Sequence, residues 1–249
     1  MDRRRPGTVS TDTDESDDRA LLRGLVNFLA AVALVCSLAL GAALFAPQLL
    51  DGTGLGLEEP PSPSAEPPPA GDRDPAVSDP DDPGNSSYET DVEVIRSATV
   101  EDFVHAEVNE RRAEHGLEPL QWDGTVASVA RAHSSDMARR DYFAHTNPDG
   151  EGPYDRFSDV DSYCRGYGEN IAKTWIGRPV RQPGGDGTVR HRTAEGLATG
   201  LVNQWMNSTP HRRAILERGE TPQWDRAGVG VYITEDGAVY AGQNFCQTW

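Results

Sequence analysis

Histidine and cysteine are the side chains of this 249-residue protein best suited to acid–base, metal or redox chemistry, and both are scarce. The histidines are widely spaced and form no compact metal-binding motif. The serines nearest to them, Ser134 and Ser208, do not lie in a G-x-S-x-G nucleophile context. Any site must therefore be assembled by the fold from distant segments. The six histidines and three cysteines are His105, His115, His133, His145, His191, His211, Cys36, Cys164 and Cys246.

The charge of the chain excludes one class of partner. The formal net charge is -17 at pH 7, and a protein without a basic face does not bind nucleic acid. Lys173 is the only lysine among 23 Lys and Arg residues. An acidic, arginine-rich composition predicts a halophilic protein, because excess carboxylates stay hydrated in high salt. The alternative is a GC-rich genome combined with an acidic linker.

An uncharged apolar segment near the N-terminus predicts a membrane anchor. Residues 24–46 contain no charged side chain and are long enough to cross a bilayer as a helix. Arginines precede this segment, so the positive-inside rule places residues 1–23 in the cytoplasm and the rest outside the cell. A cleaved signal peptide is the alternative, but the apolar stretch is too long and Leu44–Ala46 is a poor cleavage site. We therefore expect a single-pass cell-membrane protein that contacts the bilayer through 24–46.

The composition changes after the apolar segment. Residues 47–94 are rich in Pro, Asp and Ser and offer little apolar surface to bury, which predicts a disordered, extended linker. Asn85-Ser86-Ser87 is an N-glycosylation sequon within this linker, so Asn85 is a candidate glycosylation site. The remaining residues, 95–249, form one domain of ordinary size.

Apolar periodicity predicts the elements that position the candidate side chains. Helical spacing indicates helices over 99–116, from Asp123 onward, over 193–206 and over 209–216, with a short one after Pro153. Period-two alternation over 227–233 and 238–245 predicts a hairpin, and 168–172 adds a third strand. Helices followed by strands indicate an α+β domain with helices packed on an antiparallel sheet. Residues 177–192 resemble a mobile inserted loop.

The same periodicity assigns environments to the histidines. His133 lies on the apolar stripe of the second helix, so we expect a buried, hydrogen-bonded core residue. His105, His115 and His191 lie on polar faces or in loops, and we expect them to be solvated.

Five ordered motifs carry a resemblance to a known family. They are VNERRAEHGLEPLQWD, ARAHSSDMARRDYFAH, GEN, QWMNSTPHRRAIL and GVGVYITEDGAVYAGQNF, spread over about residues 104–246. Together they resemble the CAP superfamily (SCP-like domains, cysteine-rich secretory proteins, antigen 5 and pathogenesis-related proteins), and its prokaryotic branch in particular. The resemblance implies an α-β-α sandwich with a central antiparallel sheet and an extracellular setting.

The resemblance also implies a cleft with histidine and acidic side chains. Carried over by motif, these are His145 of FAH, Glu169 of GEN and His211 of TPHR. Many eukaryotic members have a second glutamate three residues after a tryptophan, but here the position after Trp205 is Ser208. This departure counts against any chemistry that needs a second carboxylate.

Three interpretations of the His145, Glu169 and His211 set remain open. Two imidazoles and a carboxylate with an open fourth position could hold zinc or a similar divalent metal, the one cofactor that the set suggests. His211 follows Pro210 at a helix N-terminus, which favours the neutral imidazole that binds metal. The alternatives are a hydrogen-bonded cluster that ties helices to the sheet, and a catalytic site.

The function expected from these features is an extracellular binding module on a membrane anchor. Its ligand would be a lipid, a glycan or an envelope protein; a divalent-metal-dependent surface hydrolase and a purely structural envelope protein are the alternatives. An oxidising exterior predicts a disulfide between Cys164 and Cys246. Cys36 lies in the apolar segment and is interpreted as a small apolar filler.

Overall fold

A four-stranded sheet lies at the centre of the computed structural model, which describes residues 61–182 and 184–249. These residues belong to one compact unit, Pro60–Trp249. The helices are α1 (Ser97–Ala113), α2 (Gly124–Arg139), α3 (Pro153–Ser158), α4 (Ala194–Asn207) and α5 (Thr209–Ile215). The strands are β1 (Ser87–Glu89), β2 (Val94–Arg96), β3 (Gln121–Trp122), β4 (Cys164–Trp175), β5 (Val180–Arg181), β6 (Thr188–Val189), β7 (Arg226–Ile233) and β8 (Ala238–Thr248).

The central sheet is mixed. Its strand order is β3-β7-β8-β4. β7 and β8 form the predicted hairpin, and β4 pairs antiparallel with β8 along its whole length. β3 pairs parallel with β7, so the expectation of a purely antiparallel sheet is wrong at this edge. A two-residue strand has too little pattern to be seen in a sequence, and its register is set by tertiary contacts.

The helices form the two outer layers of the expected α-β-α sandwich. α2 lies on one face of the sheet, and α1 and α4 lie together on the other. Two glycines of β7 allow the close approach of α2, because a Cβ on Gly228 or Gly230 would lie 2.1 Å from backbone nitrogens of α2. On the opposite face, Val229 and Val231 join the apolar core with residues from α1 and α4, such as Val104 and Leu201.

Helix boundaries follow local signals where these are strong. The Asp123 side chain caps α2 by accepting from the amide of Val126 at 3.0 Å, and Thr193 caps α4 through Gly196. Gly116 follows α1 with a φ of 71°, as expected for a helix stop. At α5 the cap residue is Ser208, and its side chain makes no capping bond. The predicted mobile loop 177–192 instead contains the small β5–β6 hairpin.

The N-terminal segment, defined here as residues 61–96, corrects the predicted disordered linker. Instead of extending away, this segment lies along the domain. Arg73 bonds Glu101 of α1 at 2.5 Å, and Asp82 pairs with Arg131 of α2. The linker composition lacks apolar groups, but ion pairs and hydrogen bonds hold it, and these leave no periodic trace in a sequence.

The expectations for the first 60 residues lie outside the described residues. They comprise the cytoplasmic tail 1–23, the membrane helix 24–46 with Cys36, and the linker up to residue 60. Within residues 61–182 and 184–249, no helix has the length and apolar character needed to span a membrane. Asn85 is exposed within the N-terminal segment.

Candidate functional site

A buried carboxylate on β4 organises the candidate site. The Glu169 side chain is 1% exposed, and each of its oxygens has a partner. Oε1 lies 2.9 Å from Nδ1 of His145, and Oε2 accepts from Nη2 of Arg156 at 2.7 Å. Burying a carboxylate in this way requires such partners, because an unpaired buried charge is strongly unfavourable.

The short helix α3 positions the arginine. Pro153 begins the helix, and the Asp155 carboxylate accepts from the amide of Gly152 at 2.8 Å. Arg156, one residue later, also donates to the carbonyl oxygens of His145 and Glu151, at 2.9 Å each. One guanidinium therefore holds both the loop that carries His145 and the carboxylate that this histidine contacts.

His145 is the part of the site that reaches solvent. Its side chain is 48% exposed, whereas the Glu169 side chain beside it is almost fully buried. An ionised carboxylate only accepts hydrogen bonds, so Nδ1 of His145 carries a proton and, in the neutral ring, Nε2 has a free lone pair. The arrangement therefore presents a fixed imidazole whose Nε2 can accept a hydrogen bond from a ligand.

His133 of α2 adds a second imidazole that sequence reasoning did not connect to this site. It is buried, as predicted, and its Nε2 lies 3.1 Å from the carbonyl oxygen of Ala144 and 3.8 Å from Oε1 of Glu169. Burial lowers the pKa of His133, and Glu169 partly offsets that effect. Its Nδ1 lies 3.3 Å from the Tyr142 hydroxyl, which donates to Asp136 at 2.5 Å.

The sequence signal that could have connected His133 to the site is its position on the inward, apolar face of α2. A histidine on the inward stripe of α2 faces the central sheet, but only the tertiary structure places Glu169 of β4 within its reach. The structure also corrects two other expectations: His105 and His191 are buried, not solvated. His115 is exposed, as expected.

His211 lies near the site but does not join its hydrogen-bond network. On α5, its carbonyl oxygen accepts from the side chain of Asn170 at 3.3 Å. Its Nδ1 is buried and has no hydrogen-bond partner among the described residues. Burial lowers the pKa of His211, and the nearby His145 lowers it further. The expected preference for a neutral ring is therefore present, although burial is its main cause and not the helix N-terminus.

The three predicted metal ligands do not form a coordination set in this structure. Within residues 61–182 and 184–249, no group of three or more His, Cys, Asp or Glu side chains is arranged to hold a metal ion. Both oxygens of Glu169 are already bonded, one of them to the positive charge of Arg156. Ser208 begins the turn into α5 and supplies no carboxylate. The site as folded does not fit a His₂-carboxylate metal centre.

A separate cavity lies behind this site. It has a volume of about 370 Å³. Two members of the network, His133 and Arg156, line it together with acidic residues that include Asp79, Asp136 and Glu151. His145, Glu169 and His211 are not among its lining residues. The cavity therefore contacts the network through His133 and Arg156, and the exposed ring of His145 does not line it.

The predicted disulfide is confirmed next to the site. Cys164 at the start of β4 is bonded to Cys246 in β8, with a Cα–Cα distance of 5.4 Å. The bond ties the strand that carries Glu169 to its neighbour, five residues from the carboxylate.

Comparison with known proteins gives a consistent family. The model of the cysteine-rich secretory protein family, CAP, matches residues 105–245. The uncharacterized protein YkwD of Bacillus subtilis is 34% identical over 135 residues, which cover 54% of this chain and 42% of YkwD. The uncharacterized membrane protein YlbC of the same organism is 31% identical over 138 residues, 55% of this chain and 32% of YlbC. The chain thus spans less than half the length of either relative.

The chain also matches solved structures of bacterial proteins. An outer surface protein from Borrelia burgdorferi has a TM-score of 0.49 at 18% identity, covering 66% of this chain and 99% of that one. An extracellular protein with an SCP domain from Bacillus anthracis has a TM-score of 0.45 at 27% identity, covering 63% of this chain and 47% of that one.

Proposed function

This chain belongs to the cysteine-rich secretory protein (CAP) family, and from that premise we propose that it is a membrane-associated extracellular binding module whose ligand contacts His145. The observation that carries the proposal is the difference in exposure between two hydrogen-bonded side chains, Glu169 and His145. A side chain that is 1% exposed holds an imidazole that is 48% exposed. A purely structural ion pair needs only Glu169 and Arg156, and the exposed ring adds little to stability. Holding a polar group rigidly at the surface is what a ligand site requires.

Three observations support the outward location. The apolar segment 24–46 follows an arginine-rich tail, and the relative YlbC is named a membrane protein. The Cys164–Cys246 disulfide is typical of an oxidising compartment. The proposed ligand is a component of the cell envelope, and the sequence analysis leaves a lipid, a glycan and a protein as the candidates.

The alternative of a divalent-metal-dependent surface hydrolase has weaker support. It rests on the presence of His145, Glu169 and His211, which do not form a ligand set in this structure. Stoichiometric zinc binding to the full-length protein that is lost in His145→Ala and His211→Ala, together with hydrolysis of peptide or ester substrates, would favour it.

The test of the binding proposal uses the full-length protein in detergent micelles. We would measure its binding to three probes: anionic phospholipid vesicles, a soluble glycan array and a random-peptide display library. We expect one class to bind, and His145→Ala to weaken that binding at least tenfold. His115→Ala is the matched control, because His115 is an exposed histidine at the end of α1. Equal binding by both variants, or no binding of any class, contradicts the proposal.

A further inference from the structure

The two edges of the central sheet are treated differently. At one edge, β3 is only two residues long and the N-terminal segment covers it. The indole nitrogen of Trp122 donates to the carbonyl oxygen of Asp72 at 2.9 Å, and Gly71 lies against the same ring. At the other edge, β4 is 12 residues long, and among the described residues β8 is its only strand partner. A long edge strand presents unpaired N–H and C=O groups along its free side.

The exposed part of this edge is main chain. Residues 166–169 are each partly exposed, although the Glu169 side chain itself is 1% exposed. The accessible surface of Glu169 therefore belongs to its backbone. Gly166 and Gly168 have no side chains that could cover the strand. In the described chain, no backbone hydrogen bond other than the pairing with β8 involves residues 166–169.

The chain already uses the far end of the same edge to add an extended segment. Just beyond β4, Ile176 forms a parallel bridge with His191, and the amide of Gly177 donates to the carbonyl oxygen of His191 at 2.9 Å. The 188–191 region thus lies beside the edge and continues the sheet for one bridge. This bridge lies beyond the end of β4, and among the described residues it does not extend to 166–169.

His145 and the backbone of His211 lie on opposite faces of this strand. Successive side chains of a strand point to opposite faces. Glu169 points to the α2 face, where it contacts His145, and Asn170 points to the other face, where it contacts the backbone of His211. The edge of β4 therefore passes between His145 and the backbone of His211.

We propose that the ligand of this site is an extended peptide segment of another protein, which adds as a strand to the free edge of β4 at residues 166–169, between His145 and His211. This inference rests on the proposed function and names its ligand class. A polypeptide offers N–H and C=O groups at the two-residue repeat of about 6.6 Å that the edge presents. A lipid chain has no donors or acceptors to match this repeat, and glycan hydroxyls do not follow it.

The experiment begins with the full-length protein in detergent and a random dodecapeptide display library. The tightest peptide is resynthesised with single N-methyl groups at each successive position, and its affinity is measured by fluorescence anisotropy. We expect methylation at alternate positions to weaken binding at least tenfold, because every second N–H faces the edge, and methylation at the positions between to change it less than threefold. Hydrogen exchange should show new protection of amides within 166–169, and none at Gln121 and Trp122 of the covered edge.

Each other result overturns the inference. These results are a library without binders, an affinity that does not alternate with methyl position, and protection confined to residues away from β4. The glycan and vesicle probes separate this failure from failure of the proposed function. If a glycan or vesicle binds and His145→Ala abolishes that binding, the site stands and the peptide assignment falls. If no probe depends on His145, both fall.

Discussion

Two buried glutamates in this protein have similar partners but opposite surroundings. Glu101 of α1 is fully buried and contacts Arg131 at 3.0 Å, Arg73 at 2.5 Å and the amide of Val231 at 3.0 Å. Glu169 of β4 is 1% exposed and contacts Arg156 at 2.7 Å and His145 at 2.9 Å. Both carboxylates are satisfied by an arginine and further hydrogen bonds, as a buried charge requires.

The difference lies in where each network ends. The network of Glu101 ends in the N-terminal segment, since Arg73 and Asp82 close over it and leave Arg131 only 7% exposed. The network of Glu169 ends in an imidazole that is half in solvent. The same chemistry therefore joins a segment to the domain in one region, and holds a half-exposed imidazole in the other. Burial of a carboxylate alone does not indicate which role it has; the exposure of its partners does.

The largest effect is expected from the covalent bond beside Glu169. Replacing Cys164 and Cys246 by serine removes a crosslink between residues that are 82 apart. The chain-entropy model predicts a loss of about 4 kcal/mol in the free energy of unfolding. Urea unfolding of the double variant measures this loss. Reduction of the unaltered protein is the control and should give a loss of similar size, whereas an unchanged midpoint would show that the β4–β8 pairing does not need the bond.

The next largest effect tests the network of Glu101, which the N-terminal segment encloses. Glu101→Gln keeps the shape of the side chain but removes the buried negative charge that Arg131 and Arg73 share, so that Arg131 keeps only Asp82 and Arg73 keeps Asp102. Because these partners remain, the loss of unfolding free energy should be about 3 kcal/mol, the lower end of the range for breaking a buried pair, measured by urea titration. Glu114→Gln is the control, since Glu114 pairs with Arg111 at 3.8 Å in solvent and should change stability by less than about 0.5 kcal/mol. Similar losses for both variants would remove the distinction between buried and exposed pairs.

The pH dependence of stability distinguishes the buried His105, beside the network of Glu101, from the exposed histidines. Burial against Trp122 lowers the pKa of His105 to about 4. The unfolded chain binds a proton near pH 6.5 and the folded chain does not, so this histidine lowers stability as the pH falls from about 7 to about 4. The loss over that range is about 3 kcal/mol.

This effect is measured as the difference in pH dependence between the unaltered protein and His105→Gln, by urea unfolding at several pH values. The variant should lose less stability than the unaltered protein as the pH falls. His115→Gln, at an exposed position, should retain the original pH dependence. Parallel curves for all three proteins would contradict the burial of His105.

The smallest effects are expected in the network of Glu169, which ends in the half-exposed ring of His145. Glu169→Gln should cost about 2 kcal/mol, less than Glu101→Gln, because Arg156 retains two carbonyl acceptors at 2.9 Å. His145→Ala should change stability by less than about 0.5 kcal/mol, because half of its ring is in solvent. Urea unfolding of both variants measures this. A loss above about 2 kcal/mol for His145→Ala would mean that the histidine is structural, and the contrast between the two glutamates would disappear.

The sequence predicted the regular elements well because their signals are local. The stripe on α2, the caps at Asp123 and Thr193, and the β7–β8 hairpin all depend on residues within a few positions of one another. The family motifs identified His145 and Glu169, which the structure joins by a hydrogen bond, and the outward location predicted the pairing of Cys164 with Cys246.

Residues that depend on distant partners were not predictable in the same way. Arg73 and Glu101 are 28 positions apart, so a segment with the composition of a disordered linker folds onto the domain without any periodic sign. His105 lies on a polar face in the sequence, but in the structure it is buried and its ring packs edge-to-face against Trp122, which is 17 positions away. The spacing of His145, Glu169 and His211 in the sequence does not give the distances between their side chains in the fold, so it could not decide whether His211 joins the other two.

What the sequence determined by itself is therefore the set of elements, the family and the side chains available for a site, because hydrophobic period, capping and motif order are properties of neighbouring residues. Only the tertiary structure decided which charges are enclosed and which reach solvent, because burial depends on what covers a residue from elsewhere in the chain. The fold shields the Glu101 side chain and leaves the His145 side chain half in solvent.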